Sequence, residues 1–243
     1  MVRVLRPIPI ESLKLLVFDL DGTLIDSARD LCNSVNATLR EFGCEPLPDP
    51  IVSSYIGDGA VMLVRRALFG VDAVNIDEEF LARAYAWFLD YYREHKLDYT
   101  YAYAGVLDAL AAVRNLPDGS TRSMSVLTNK PVRPAQAICD ALGLAPFFRH
   151  VYGGNSFPIK KPDPLGLRTL MEEAGALPEE TVLIGDSEVD VATARNAGAW
   201  VIGCTFGLAP DGLAANPPDV LVDSASEWTE VLTPAKAILP QSV

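Results

Sequence analysis

The stretch Val17-Phe18-Asp19-Leu20-Asp21-Gly22-Thr23 decides how the rest of the chain is read. It closes a short, nearly continuous apolar run over residues 13–20, the pattern of a strand buried on both faces of a parallel sheet. Alternation along an extended segment aims Asp19 and Asp21 the same way, with Leu20 pointing into the core. Gly22-Thr23 then turns the chain. In open α/β sheets, sites form beyond the carboxyl ends of the strands, which is where this pair of carboxylates stands. A lone Asp-x-Asp is as well explained by a turn or a helix cap, because Asp favours both.

Working outward, similar apolar runs recur at Ser123–Leu127, before Thr128, and at 181–184, before Gly185-Asp186. A weaker run covers 201–204, and 219–222 is expected as a last edge strand. Helical patterns lie between them. Val106, Leu110 and Val113 repeat at near-helical spacing, as do Ala135, Ile138 and Leu142 before Gly143, and Leu167, Leu170, Met171 and Ala174 before Gly175. Strands alternating with such helices predict an α/β fold with a doubly wound parallel sheet and right-handed crossovers.

One region breaks the alternation. From Ser27 to about Thr100 there are helix signals and no convincing strand. Leu31, Val35, Leu39 and Phe42 form one apolar stripe, Val61, Leu63, Val64, Ala67 and Leu68 a second, and Phe80 through Tyr92 a third, rich in aromatics. The prediction is an inserted all-helical domain over 27–100, with 1–26 and 101–243 forming the α/β domain. The aromatic stripe (Phe80, Tyr85, Trp87, Phe88, Tyr91, Tyr92) is expected to be bundle core rather than a ligand box. A loop over 116–122 precedes the second strand, and the tail after Pro234 is expected to be peripheral.

Two further strand ends change the standing of the first. Thr128-Asn129 offers a hydroxyl, an amide and turn N–H groups. Gly185-Asp186-Ser187 ends the third strand, and Asp190 follows one helical turn later on the same face. Between them Lys160-Lys161-Pro162-Asp163-Pro164 sets a cation among prolines just before a helix. Each has a bland role as turn, solvated charge or cap; all four bland roles together, each at a strand end, require four coincidences. If the sheet gathers Asp19, Asp21, Asp186 and Asp190, two like charges ~4 Å apart cost on the order of 4 kcal/mol at an effective dielectric of 20. Such a cluster needs a cation or a shared proton. Oxygen-only donors favour a hard ion, and Mg²⁺ fits best.

The bulk numbers agree. The chain has 243 residues, 49% hydrophobic and 21% charged, with a formal net charge of −12 and no Lys/Arg run, which argues against nucleic acid or an anionic membrane as partner. A metal and Lys161 would make a local anion site inside an acidic protein. Cys32, Cys44, Cys139 and Cys204 are scattered without a Cys-x-x-Cys pair, as expected for reduced thiols. No apolar run approaches the ~20 residues of a membrane helix, and Met1 to Lys14 does not have the pattern of a signal peptide. The expected location is cytoplasmic, as a monomer or homodimer.

At these residues the sequence resembles the haloacid dehalogenase-like hydrolase superfamily, which is mostly phosphatases. Its four motifs stand as Asp19-Leu20-Asp21-Gly22-Thr23, Thr128-Asn129, Lys161-Pro162 and Gly185-Asp186-Ser187-Glu188-Val189-Asp190, over nearly the whole chain. The helical insertion matches the family's cap domain. The resemblance implies that Asp19 is the nucleophile forming an aspartyl-phosphate and a Mg²⁺ ligand. Asp21 is the general acid and then the general base, with its backbone carbonyl on the metal. Thr128, Asn129 and Lys161 hold the phosphoryl group, Asp186 binds the metal directly, and Asp190 acts on the metal or on its bound water. A closer resemblance is to bacterial phosphoglycolate phosphatases, on Ile56-Gly57-Asp58-Gly59-Ala60 with Leu63-Val64-Arg65-Arg66-Ala67-Leu68, on Tyr103-Ala104-Gly105-Val106, on Thr128-Asn129-Lys130-Pro131, and on Gly153-Gly154 through Lys161-Pro162-Asp163-Pro164-Leu165. The family's Asp after Gly-Gly is Asn155 here. This implies a small phosphate ester as substrate, with Gly57 and Arg66, or less so Arg65, near it. Other small organophosphates or pyrophosphate remain open, as does a sugar phosphomutase, which would share every catalytic residue. A dehalogenase lacks the second Asp, present here as Asp21. A non-catalytic phosphate-binding protein would have no need of an intact set.

Overall fold

The computed structural model describes residues 1–115 and 119–233. In chain order the elements are β1 (Arg3–Val4), β2 (Leu15–Phe18), β3 (Ile25–Asp26), α1 (Ala28–Glu41), α2 (Asp49–Ser53), α3 (Ala60–Phe69), α4 (Glu78–His95), β4 (Tyr101–Ala102) and α5 (Val106–Arg114). There follow β5 (Ser123–Leu127), α6 (Val132–Ala141), β6 (His150–Tyr152), α7 (Leu165–Ala174), β7 (Thr181–Gly185), α8 (Glu188–Ala197), β8 (Trp200–Cys204), α9 (Gly212–Ala215), β9 (Val220–Val222) and α10 (Glu227–Leu232).

Strand β2 is central because every one of its side chains is buried, and strict alternation divides them between two cores. Leu16 and Phe18 pack with Val106, Leu110 and Val113 of α5, Ile138 of α6 and Trp228 of α10. Leu15 and Val17 pack on the other face with Leu167 and Leu170 of α7 and Val191 and Ala194 of α8. Each fully buried side chain of this size contributes about 1.5–3 kcal/mol. The result is a doubly wound α/β sandwich with strand order β1-β9-β8-β7-β2-β5-β6.

β2 pairs in parallel with β5 and β7, Phe18 lying opposite Val126 on one side and Ile184 on the other. That register brings the three carboxyl ends level, so the loops leaving β2, β5 and β7 meet at one edge. Two strands of this seven-stranded sheet escape the sequence pattern. β6 has three residues, all half-buried, and offers no apolar run. β1 is an exposed pair of residues running antiparallel to β9, so 219–222 does not form the edge of the sheet as expected. Residues 116–118 of the predicted loop lie outside the described residues, as does the tail from 234; Asn115 and Thr121 flank the former in an antiparallel bridge. At this far end of the sheet the buried Arg122 guanidinium donates to the carbonyls of Leu13, Val113, Leu232 and Ile10.

Helices α1–α4 form the all-helical cap, with a core of their own in which Leu31, Val35, Leu39, Val52, Leu63, Val64, Phe88 and Tyr92 are buried. The chain enters and leaves it side by side. β3 and β4 pair antiparallel, Ile25 with Ala102 and Asp26 with Tyr101. The buried Asp30 carboxylate, in the first turn of α1, accepts from the amides of Tyr99 and Thr100 and from the Thr100 hydroxyl, pinning the exit to the entrance.

Candidate functional site

The site assembles on the level strand ends. Asp19 follows β2, and its amide donates to the Ile184 carbonyl of β7 at 2.9 Å, which fixes the backbone. Its Oδ1 accepts from the Leu20 amide at 2.7 Å and lies 3.0 Å from Lys161 Nζ, so Oδ2 is the oxygen free of both. Burial pushes the Asp19 carboxyl up to about 6, even with Lys161 beside it. Two residues on, Asp21 Oδ1 accepts from the Ser27 hydroxyl, and both its oxygens accept from Lys130 Nζ, at 2.9 and 3.1 Å.

After β7, Asp186 Oδ2 accepts from the amides of Leu208 and Ala209 at 2.7 and 3.0 Å. Burial raises the Asp186 pKa well above the ordinary carboxylate range, and the neighbouring Asp190 and Asp19 raise it further. The backbone has to come very close here. Gly22 has φ +80°, and a Cβ on it would meet Asp186 Oδ2 at 2.0 Å, so only glycine fits the turn of the first motif. Asp190, on α8, spends Oδ1 on Lys161 Nζ at 2.6 Å and Oδ2 on the Ser187 amide and hydroxyl. Lys161 is thereby suspended between two carboxylates. Burial opposes its charge, but Asp19 and Asp190 together raise its pKa above that of an ordinary lysine.

Oxygens of Asp19, Asp186 and Asp190 lie within 4.8 Å of one another. Of these three buried carboxylates only Asp19 and Asp190 pair with Lys161, and Asp19 and Asp186 have pKa values raised by burial. The donor set is oxygen only. This is the arrangement of an under-compensated acid cluster, and a hard divalent cation fits it on charge and on donor chemistry.

On the third strand end, Thr128 Oγ1 accepts from the Lys130 amide. Asn129 Nδ2 donates both to the Lys161 carbonyl and, across to the cap, to the Gly57 carbonyl, each at 3.1 Å. Its Oδ1 is buried without a hydrogen-bond partner among the described residues. A small cavity, about 40 Å³, lies between the two domains. Its core wall is made by Asp19, Asp21, Thr128, Asn129, Lys130 and Asp186, and its cap wall by Leu31, Ile56, Gly57, Leu63, Phe88 and Tyr92.

Of the residues expected from sequence, Asp19, Asp21, Thr128, Asn129, Asp186 and Gly57 meet at this cavity. Lys161 and Asp190 stand behind Asp19 rather than on the cavity wall. Arg66 does not reach it. On α3, with Leu63 and Val64 facing the cap core, its guanidinium is turned to the Asp58 carboxylate and the Tyr55 carbonyl. Arg65 donates to the Ala73 carbonyl. The cation to which sequence reasoning assigns no role, though it stands in the Thr128–Pro131 run, is Lys130, 5% exposed. Nor does that reasoning assign one to Lys160, whose Nζ donates to the Asp58 carbonyl and ties the Gly57 loop to the core. The expected aromatic stripe is only partly bundle core: Phe88 and Tyr92 are buried in it and also line the cavity, while Trp87 and Tyr91 stack together half-exposed. Asn155 Oδ1 accepts from the Val132 amide at the start of α6, a bond that an Asp would make equally.

Comparison with known proteins agrees with this geometry. Residues 16–204 match the family model described as haloacid dehalogenase-like hydrolase. A phosphoglycolate phosphatase of Pseudomonas putida is 39% identical over 213 residues, covering 86% of this chain and 76% of that protein. One from Neisseria meningitidis is 37% identical over 231 residues, covering 93% and 97%. The crystal structure of a predicted phosphoglycolate phosphatase from Haemophilus somnus superposes with a TM-score of 0.83 at 30% identity, covering 90% of this chain and 98% of that one. The chain belongs to the haloacid dehalogenase-like hydrolase family.

Proposed function

We propose that this chain, a phosphomonoester hydrolase of that family, removes the phosphoryl group of 2-phosphoglycolate through an aspartyl-phosphate on Asp19, with Mg²⁺ as cofactor. The observation that carries the reading is the convergence of Asp19, Asp21, Thr128 and Asp186, from three separate strand ends, on one cavity closed by the cap. The named phosphatase relatives support the substrate class. The cap wall supports a small substrate, since apart from the Tyr92 hydroxyl its side chains Leu31, Ile56, Leu63 and Phe88 offer no partners to the hydroxyls of a sugar.

In this reading Asp19 Oδ2 attacks phosphorus, a bond forms between them, and the ester P–O bond breaks with its electron pair leaving on the substrate alcohol. Asp21 gives that oxygen its proton. Asp21 then takes a proton from water, whose oxygen attacks the same phosphorus and releases Asp19. The Thr128 hydroxyl, which accepts from the Lys130 amide, has its proton left to donate to a phosphoryl oxygen. Lys161 spreads positive charge under Asp19, and Asp190 positions Lys161. A Mg²⁺ ion held by Asp19, Asp186 and the backbone carbonyl of Asp21 would supply the charge that offsets the acid cluster and the phosphoryl group. We place the cap at residues 27–100.

Phosphate release measured across 2-phosphoglycolate, sugar phosphates and pyrophosphate, with Mg²⁺ or with EDTA, tests the reading. Preference for 2-phosphoglycolate, loss of turnover in EDTA and loss in Asp19→Ala are expected. Turnover surviving Asp19→Ala overturns the mechanism, and dependence on a sugar bisphosphate activator overturns the assignment in favour of a mutase.

A further inference from the structure

Lys130 stands on the cavity wall with no role in the reaction scheme. Its Nζ is buried there, bonded to both oxygens of Asp21 and 4.9 Å from the centroid of the Tyr92 ring. Paired with the Asp21 carboxylate, it is a buried cation on the cavity wall. Tyr92, from the cap helix α4, is 3% exposed and lines the same cavity, with its hydroxyl beside the Lys130 ammonium and no other polar partner among the described residues. A buried phenol whose one polar neighbour is a lysine already bonded to Asp21 still has its own proton to donate. An anionic acceptor placed between them would satisfy both. The rest of the cap wall supplies no competing cation: Leu31, Ile56, Leu63 and Phe88 offer no polar atom from their side chains, and Arg66 is turned away to Asp58.

We infer that Lys130 Nζ and Tyr92 Oη together form the subsite for the second anionic group of the substrate, a carboxylate one or two bonds from the phosphate-bearing carbon. This deepens the phosphoglycolate reading and rests on it. The subsite spans both domains, with Lys130 on the loop after β5 and Tyr92 on the cap. A ligand carboxylate held there joins cap to core, and an ester with an uncharged tail leaves the pair unused. Lys130 is shared with Asp21, so binding the carboxylate draws on the same ammonium that holds the acid/base residue in place.

The test compares two substrates on three variants. For Lys130→Met, kcat/KM for 2-phosphoglycolate is expected to fall on the order of 100-fold more than kcat/KM for ethyl phosphate, the value of a lost charged hydrogen bond. The excess should sit in KM. Tyr92→Phe removes one hydroxyl without touching Asp21, and should show the same selectivity at about 5- to 10-fold. Lys130→Arg, which keeps the charge, should recover part of the preference. Equal losses on both substrates overturn the inference, because Lys130 would then serve Asp21 alone. So does a Tyr92→Phe enzyme with unaltered KM for 2-phosphoglycolate. If the unaltered enzyme itself shows no preference for the carboxylated ester, the substrate reading fails instead, and the two failures are told apart. Circular dichroism of each variant checks that it is folded.

Discussion

The two walls of the cavity are built on opposite principles. On the core wall each carboxylate is held by named donors: Asp19 by Leu20 and Lys161, Asp21 by Ser27 and Lys130, Asp186 by Leu208 and Ala209. On the cap wall Leu31, Leu63 and Phe88 are held only by packing against other cap residues. A hydrogen-bonded carboxylate has one position and one charge. A packed leucine excludes water and sets volume. On the proposed reading the core wall carries the reaction and the packed cap residues bound the space beside it, so substitutions on the two should differ in kind as well as in size.

The sharpest way to break that contrast is Asp19→Ala. It should lower kcat by on the order of 10⁴-fold or more, with an intact circular dichroism spectrum, when phosphate release is followed in Mg²⁺. Next is Lys161→Met, which leaves Asp19 and Asp190 buried without their cation. Urea unfolding in EDTA should show a loss of about 3–5 kcal/mol, because removing one partner of a buried pair costs more than the pair is worth. On the cap side, Leu63→Ala should cost about 2–5 kcal/mol of stability. Its kinetic signature should be a raised KM with kcat much less affected; a kcat loss rivalling that of a core variant would erase the distinction.

On the proposed reading, metal and pH act through the carboxylates of the core wall. The Asp19 pKa is raised from 3.8 to about 6 in the fold. Its contribution to the stability of the metal-free protein is therefore present below 3.8 and is lost as pH rises through about 6, where the buried charge must be carried. Mg²⁺ competes with that proton. The rise in Tm on adding Mg²⁺ should be about 5–10 °C at a hundredfold excess over Kd above that window, and should fade as pH falls through it. A Tm increase independent of pH would show that the ion binds elsewhere. The smallest effect belongs to Arg66→Ala, where a partly exposed pair with Asp58 is lost at a cost of about 1 kcal/mol or less. KM should move slightly through the Gly57 loop, and a large kcat loss would return Arg66 to the site.

How far these two walls are legible in the sequence depends on the same contrast. Asp19, Thr128 and Asp186 stand at ends of apolar runs, and once the runs are aligned as parallel strands their meeting is dictated by register. Asp190 follows from the helical repeat. Lys130 cannot be recognised in this way. A lysine after Thr-Asn looks like a solvated turn charge, and its burial depends on Tyr92 arriving from a helix about forty residues earlier in the chain. Arg66 is expected at the site because its motif places a cation near Gly57. The helical phase of α3, set by Leu63 and Val64 against the cap core, turns it to Asp58 instead. Strand β6 is illegible for another reason: three half-buried residues beginning with His150 carry no periodic signal, and they form a strand because β5 offers them an edge.

The paired crossing of β3 and β4 has a consequence for the history such a protein can have. Ile25 and Ala102 are paired neighbours, and Asp30 fastens the exit to the entrance. A segment whose two ends are adjacent occupies a single port in the chain, so lengthening, shortening or exchanging it leaves the sheet register unchanged. The catalytic edge and the helical module are then separable inheritances: new modules can be grafted at one port while the carboxylates stay where β2, β5 and β7 put them.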